Sequence, residues 1–102
     1  MKDIIEKKKK LFSRVFGMKY SLKLLGMQAW DNKDGRELAE VSFMFGELMT
    51  ALDIQVVCEK IAKWLGGELC GTVNLDFSGS SPSLEMMIEQ DLVNRNHKRN
   101  WN

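Results

Sequence analysis

Two stretches in which apolar and polar residues alternate, residues 18–30 and 37–45, lie on either side of a short turn-forming segment. That segment is DNKDG, residues 31–35. Asp, Asn and Gly tolerate the left-handed backbone conformation and are typical of hairpin loops of about four or five residues. The sequence therefore predicts a β-hairpin whose strands each bury one face. Next to Gly26 the alternation shifts by one residue, which predicts a β-bulge in the first strand.

The segment DNKDG also resembles the beginning of a calcium-binding loop. With Gly35 at the sixth position of an EF-hand loop, Trp30 takes the first position and Val41 the twelfth. Neither of these side chains supplies the oxygen ligand that the loop requires there. The two cysteines, Cys58 and Cys70, lack the closely spaced partners of a zinc site. We therefore predict no metal site, and no motif implies a cofactor.

Helices are predicted before and after the hairpin. Apolar residues recur at roughly helical spacing over residues 3–16, and Gly17 follows as a stop signal. After the hairpin, Thr50 and Asp53 resemble a capping box. Apolar residues then recur every three or four positions as far as Gly66-Gly67, which is typical of the end of a helix. This central helix is expected to pack on the sheet through its apolar side.

The C-terminal part of the chain predicts one more strand and one more helix. Residues 69–77 alternate in the most regular strand pattern of the sequence. Ser81-Pro82 then reads as an N-cap followed by Pro at the first helical position. The apolar side of the predicted last helix consists of Leu84, Met87, Ile88 and Leu92.

The predicted fold is α+β, with the order α-β-β-α-β-α in a single domain over residues 1–102. A length of 102 residues, 44% of them apolar, suits one core and not two. The three strands form an antiparallel sheet of order 2-1-3 if the crossover through the central helix is right-handed, with that helix packed on one face. The basic, polar tail, residues 94–102, is predicted to be disordered.

The formal net charge of +1 hides a strong segregation of charge along the chain. Residues 1–23 contain eight Lys or Arg and two Asp or Glu, whereas residues 24–93 contain four and twelve. Residues 94–102 add three basic residues. An acidic body between basic ends favours recognition of a charged partner.

The first functional hypothesis is a small non-enzymatic protein-binding domain, such as an inhibitor or immunity-type protein of microbial or phage origin. Its acidic surface would meet a basic partner, because complementary charge selects that partner and accelerates association. The predicted contact residues are Asp31, Asp34, Glu37 and Glu40. Met44 and Leu38 form an apolar patch on the second strand, which we expect the first helix or a second subunit of a homodimer to cover.

Two alternatives use other features of the sequence. A nucleic-acid-binding accessory protein would use the basic ends, and its predicted contacts are Lys7, Lys8, Lys9, Lys10, Arg14, Lys98, Arg99 and Trp101. A binder of small phosphate-bearing ligands would use the loop before the predicted last helix, where helix N-termini favour anions. The residues of that predicted anion loop are Ser78, Ser80 and Ser81.

Catalysis is not predicted. The single histidine, His97, lies in the polar tail, and no nucleophile next to a positioned base can be assembled from the sequence. No stretch of about 18 apolar residues suggests a membrane span, and no secretory signal is evident. With two cysteines that no disulfide framework requires, the expected location is the cytoplasm.

Overall fold

A β-hairpin forms one edge of the sheet, as the sequence predicts. In the computed structural model, which describes residues 1–45 and 50–91, β1 (Leu22–Asp31) pairs antiparallel with β2 (Arg36–Phe45). Asn32 N donates to Arg36 O at 2.8 Å, and Gly35 has a φ of 87°, a conformation that Gly adopts readily. The strand register shifts between Leu24 and Gly26, where the bulge was expected.

The chain before the hairpin is helical almost throughout. It consists of a 3-10 turn (Lys2–Ile4), α1 (Ile5–Phe12), a π-helical turn (Ser13–Gly17) and α2 (Met18–Tyr20). The prediction that the helix ends at residue 16 is wrong, because Gly17 stays helical and the chain turns only at Ser21, with a φ of 56°. Continuing the helix keeps Phe12, Phe16 and Tyr20, spaced four residues apart, on the core side.

The central helix begins and ends where the sequence predicts. In α3 (Ala51–Trp64), Thr50 is the N-cap and forms a capping box with Asp53. Gly66 has a φ of 86°, so it supplies the left-handed residue that ends many helices. Gly67 lies so close to the strand beside it that an added Cβ would come within 2.6 Å of Glu89 O.

The predicted last helix is wrong, since its residues form β5 (Ser83–Asp91). Pro82 precedes this strand instead of starting a helix, and Pro82 O accepts a hydrogen bond from Phe45 N at 3.1 Å. The buried apolar side chains are Leu84, Met86 and Ile88, which alternate. Pairing with β2 along the whole of β5 stabilises the strand, although Leu, Glu, Met and Gln favour helices in isolation.

The sheet has five strands instead of the predicted three, and the predicted order 2-1-3 is wrong. Its order is β1-β2-β5-β3, and β4 also pairs with β5. The strand predicted over residues 69–77 is divided into β3 (Glu68–Leu69) and β4 (Asn74–Asp76), with Gly71 at a φ of 73° between them. Because β5 forms a strand, it takes the free edge of β2 and places β2 in the interior of the sheet.

The core lies on one face of the sheet, which we call the inner face. Helical residues such as Phe12, Val57 and Ile61 are buried with Val41 and Phe43 of β2. The rings of Phe12 and Phe43 have centroids 6.2 Å apart. The chain is thus a small α+β domain with the N-terminal helices and α3 in one layer and an antiparallel sheet in the other.

The first helix does not cover the apolar patch of Met44 and Leu38, contrary to one of our expectations. Side chains of β2 alternate between faces, and Phe43 contacts Phe12 on the inner side. Met44 and Leu38 therefore lie on the opposite side, the outer face. The helices of the described ranges contribute their buried side chains to the inner face.

Candidate functional site

The outer face of the sheet is the candidate functional site, because the described helices all pack on the other side. Its cross-strand neighbours on β1, β2 and β5 form four rows: Trp30–Leu38–Glu89, Gln28–Glu40–Met87, Gly26–Ser42–Glu85 and Lys23–Met44–Ser83. Trp30, Met44 and Met87 are half-buried, and Leu38 is only 8% exposed. Apolar area is therefore mixed with carboxylates on a face that no described helix covers.

A cleft opens on this face between β5 and the segment of residues 70–74. Its volume is about 240 Å³, and Glu40, Glu85 and Met87 line one side. Cys70 lines the other side, and burial together with the neighbouring Glu89 raises the pKa of its thiol. A raised pKa lowers the fraction of the Cys70 thiol that is ionised at a given pH.

Two carboxylates at the cleft, those of Glu40 and Glu85, are close neighbours on the sheet. Glu40 pairs across the strands with Met87, and Glu85 pairs with Ser42, so the two glutamates are diagonal neighbours on one face. Such neighbours have Cβ atoms roughly 7 Å apart, and like charges at this distance repel. Within the described ranges neither glutamate forms an ion pair. A cation bound here would remove that repulsion.

Another glutamate of the face, Glu89, forms an ion pair. Arg36 Nη1 pairs with Glu89 Oε2, and Arg36 Nε pairs with Asp34 Oδ2 at 2.7 Å. The backbone hydrogen bond from Arg36 and its guanidinium lower the pKa of Asp34. Arg36 therefore ties the hairpin loop to β5, and its single positive charge is shared between Asp34 and Glu89.

The structure does not bring the four predicted acidic contact residues together. Asp31 pairs with Lys2 Nζ, Asp34 pairs with Arg36, and only Glu40 lies at the cleft. Glu37 is buried and accepts from the N-terminal amine and from Lys2 N. Burial raises the pKa of Glu37, but these hydrogen bonds outweigh it and the net shift is downward.

A second charged surface lies where the N-terminal helices meet α3, and we call it the helix seam: Lys8, Lys19, Tyr20, Lys60 and Trp64. Lys8 Nζ is 4.5 Å from the centre of the Trp64 ring. Lys60 Nζ donates to Tyr20 Oη at 2.9 Å, and Lys19 Nζ is 5.4 Å from the centre of the same ring. The hydrogen bond from Lys60 lowers the pKa of the Tyr20 phenol.

The residues predicted to contact nucleic acid fall into two groups. Lys7, Lys10 and Arg14 are exposed on the N-terminal helices, Lys8 joins the helix seam, and Lys9 pairs with Glu6 at 3.0 Å. The remaining three, Lys98, Arg99 and Trp101, lie outside the described residues.

The structure contradicts the physical basis of the predicted anion loop, which was a helix N-terminus. Ser78, Ser80 and Ser81 are exposed, but the chain after them is a strand and offers no helix N-terminus. Ser78 N and Ser78 Oγ both donate to Asp76 Oδ1, at 2.8 and 2.6 Å. These donors lower the pKa of Asp76, so the hydrogen-bonding groups of Ser78 are already engaged by a carboxylate.

Several site residues were missed from the sequence. Glu85 was assigned to a helix, although its alternation with Leu84, Met86 and Ile88 also fits a strand. The sequence places Trp64 on the apolar side of the central helix, which is predicted to pack on the sheet, and gives Lys60 no partner. No sequence signal gives their contact with Lys8 and Tyr20, because it depends on how two helices pack against each other.

Within residues 1–45 and 50–91, no group of three or more His, Cys, Asp or Glu side chains could hold a metal ion. No helix in these ranges is long and apolar enough to cross a membrane. In comparisons with known proteins, no family model, curated sequence or solved structure matches the chain. Function is therefore argued from the geometry of the outer face and the helix seam.

Proposed function

We propose that the protein is a small non-enzymatic binding domain whose outer face recognises a basic protein partner. The observation that carries this proposal is the adjacent pair Glu40 and Glu85, which lacks a cation among the described residues. Half-buried apolar side chains surround the pair. A carboxylate pair within an apolar surface suits a partner that presents Lys or Arg among apolar residues.

A basic partner is favoured over a second copy of the chain. In a face-to-face homodimer the outer faces would bring Glu40 and Glu85 towards the same carboxylates of the other copy. Like charges brought together on burial disfavour such an interface. An inhibitor or immunity-type protein of microbial or phage origin, acting in the cytoplasm, fits this mode of recognition because it requires no catalytic group. The free thiols of Cys58 and Cys70 support that location.

The test begins with affinity capture from the native host with the tagged full chain. The variant Glu40→Gln/Glu85→Gln is compared with the control Asp3→Asn/Glu59→Gln, which changes the net charge equally at exposed helical positions. We expect wild type and control to retain one protein partner that the outer-face variant loses. Titration of the purified partner should then show affinity weaker by about tenfold or more for the outer-face variant.

Three outcomes would contradict the proposal. Equal affinity of both variants for the partner would show that the outer face does not take part in binding. Capture of nucleic acid or a small metabolite without any protein would contradict the proposed protein-binding function. If the protein forms a homodimer that the outer-face variant disrupts, the outer face binds a second copy of the chain and not a basic partner.

A further inference from the structure

The helix seam is built from segments that are far apart in the chain. Lys8 belongs to α1, Lys19 and Tyr20 belong to α2, and Lys60 and Trp64 belong to α3. The contact between Lys8 and Trp64 and that between Tyr20 and Lys60 hold the two helical segments side by side. The seam is thus a fixed surface of the helical layer and does not depend on one flexible lysine run.

Positive charge dominates the whole helical layer. Residues 2–20 and 51–64 contain nine Lys or Arg and four Asp or Glu. Within the described ranges, Lys8, Lys19 and Lys60 form no ion pair. The nearest acidic group in sequence, Glu59, accepts instead from Gln55 Nε2 at 3.3 Å. Three ammonium groups beside two aromatic rings therefore remain available to an anionic ligand.

We propose that the helix seam binds single-stranded nucleic acid, with the lysines at the phosphates and Tyr20 and Trp64 beside the bases. Spaced phosphates match several lysines along a seam, and aromatic side chains contact unpaired bases without regard to their sequence. The seam lies on the opposite layer from Glu40 and Glu85, so a polyanion bound there avoids these carboxylates.

Single strands fit this surface better than a duplex. A duplex is read by an element that enters a groove, whereas the seam residues lie between two helices packed on the same sheet. The vesicle measurement in the experiment below distinguishes a single strand from an anionic membrane surface.

The experiment measures fluorescence anisotropy of a labelled oligothymidine of about 12 nucleotides with the full chain. We expect binding that weakens with salt, with a slope of log K against log salt of roughly −2 if three lysines contact phosphates. The variant Lys8→Gln/Lys19→Gln/Lys60→Gln should bind at least about tenfold more weakly and show a flatter slope.

The matched control is Lys10→Gln/Lys23→Gln/Lys33→Gln, which removes three exposed lysines outside the seam. It should retain most of the affinity, and circular dichroism of both variants shows whether they are folded. Equal losses in the two variants would overturn the proposal, as would binding insensitive to salt. It would also be overturned if the seam lysines were needed for phosphatidylserine vesicles or for self-association, and not for the oligonucleotide.

Discussion

Thr50 and Asp53 fix the first turn of α3 through three reciprocal hydrogen bonds. Asp53 N donates to Thr50 Oγ1 at 3.1 Å, and Asp53 Oδ2 accepts from both Thr50 N and Thr50 Oγ1. We expect Thr50→Ala to lower the free energy of unfolding by about 1 kcal/mol, because an N-terminal donor of the helix loses its partner. Urea denaturation measures the effect. Thr50→Ser keeps the hydroxyl and should lose far less, and equal losses would contradict the capping role.

The two thiols should differ in reactivity. Burial raises the pKa of Cys58 to about 11, and Cys58 is fully buried, whereas Cys70 is half-buried. At pH 8 only about one Cys58 thiol in a thousand is ionised, and the reactive form is the thiolate. We expect a thiol reagent to modify Cys70 first and Cys58 only as the protein unfolds. Mass spectrometry of peptides from partly labelled wild-type protein checks this, and rapid native labelling of Cys58 would contradict it.

At the scale of elements, β5 directs two consecutive methionines to opposite faces of the sheet. Met86 is 1% exposed on the inner face and Met87 is half-buried on the outer face. We expect Met86→Ala to lower the free energy of unfolding by about 2–5 kcal/mol, because it leaves a cavity in the core. Met87→Ala should cost less than about 1 kcal/mol. A helix here would reverse the order, so denaturation of the two variants distinguishes strand from helix.

The elements that could be predicted from the sequence are those specified by local chemistry. The hairpin loop depends on Gly35, the capping box on Thr50 and Asp53, and the bulge on a shift of alternation beside Gly26. Each signal lies within a few residues of the structure it produces. Such signals act before distant parts of the chain meet, so they survive in the folded protein.

The elements that could not be predicted depend on distant contacts. Residues 84–88 fit a helical stripe and a strand alternation equally well, and their composition favours a helix. The strand conformation is selected by β2, because the edge of β2 that does not pair with β1 pairs with the whole of β5. The sheet order and the outer-face carboxylate pair follow from that pairing, so both were missed together.

At the scale of the whole molecule, charge that appears segregated along the chain is segregated between two layers. The helical layer contains nine basic and four acidic residues, whereas the four rows of the outer face contain three Glu and one Lys. The lysines of α3, which belong to the acidic body in sequence, lie in the basic layer. Opposite faces can therefore meet ligands of opposite charge.

This arrangement predicts unusual behaviour in ion exchange. At an ionic strength of about 0.1 M and near neutral pH, we expect both a sulfonate and a quaternary-ammonium resin to retain the protein, despite a formal net charge of +1. Each resin attracts one face, because charges on the other are largely screened beyond a Debye length of about 10 Å. The variant Lys8→Gln/Lys19→Gln/Lys60→Gln should elute earlier from the sulfonate resin only. The variant Glu40→Gln/Glu85→Gln should elute earlier from the quaternary-ammonium resin only. Equal shifts on both resins would contradict two separate faces.

The position of β5 also has a consequence for how the protein is made. Among the strands of residues 1–45 and 50–91 it is synthesised last, yet it lies between β2 and the short strands β3 and β4. A nascent polypeptide therefore cannot complete its sheet until residue 91 has left the ribosomal tunnel. Translation that stops before residue 83 leaves backbone groups of β2 without their partner strand, which makes the truncated product a substrate for chaperones and proteases.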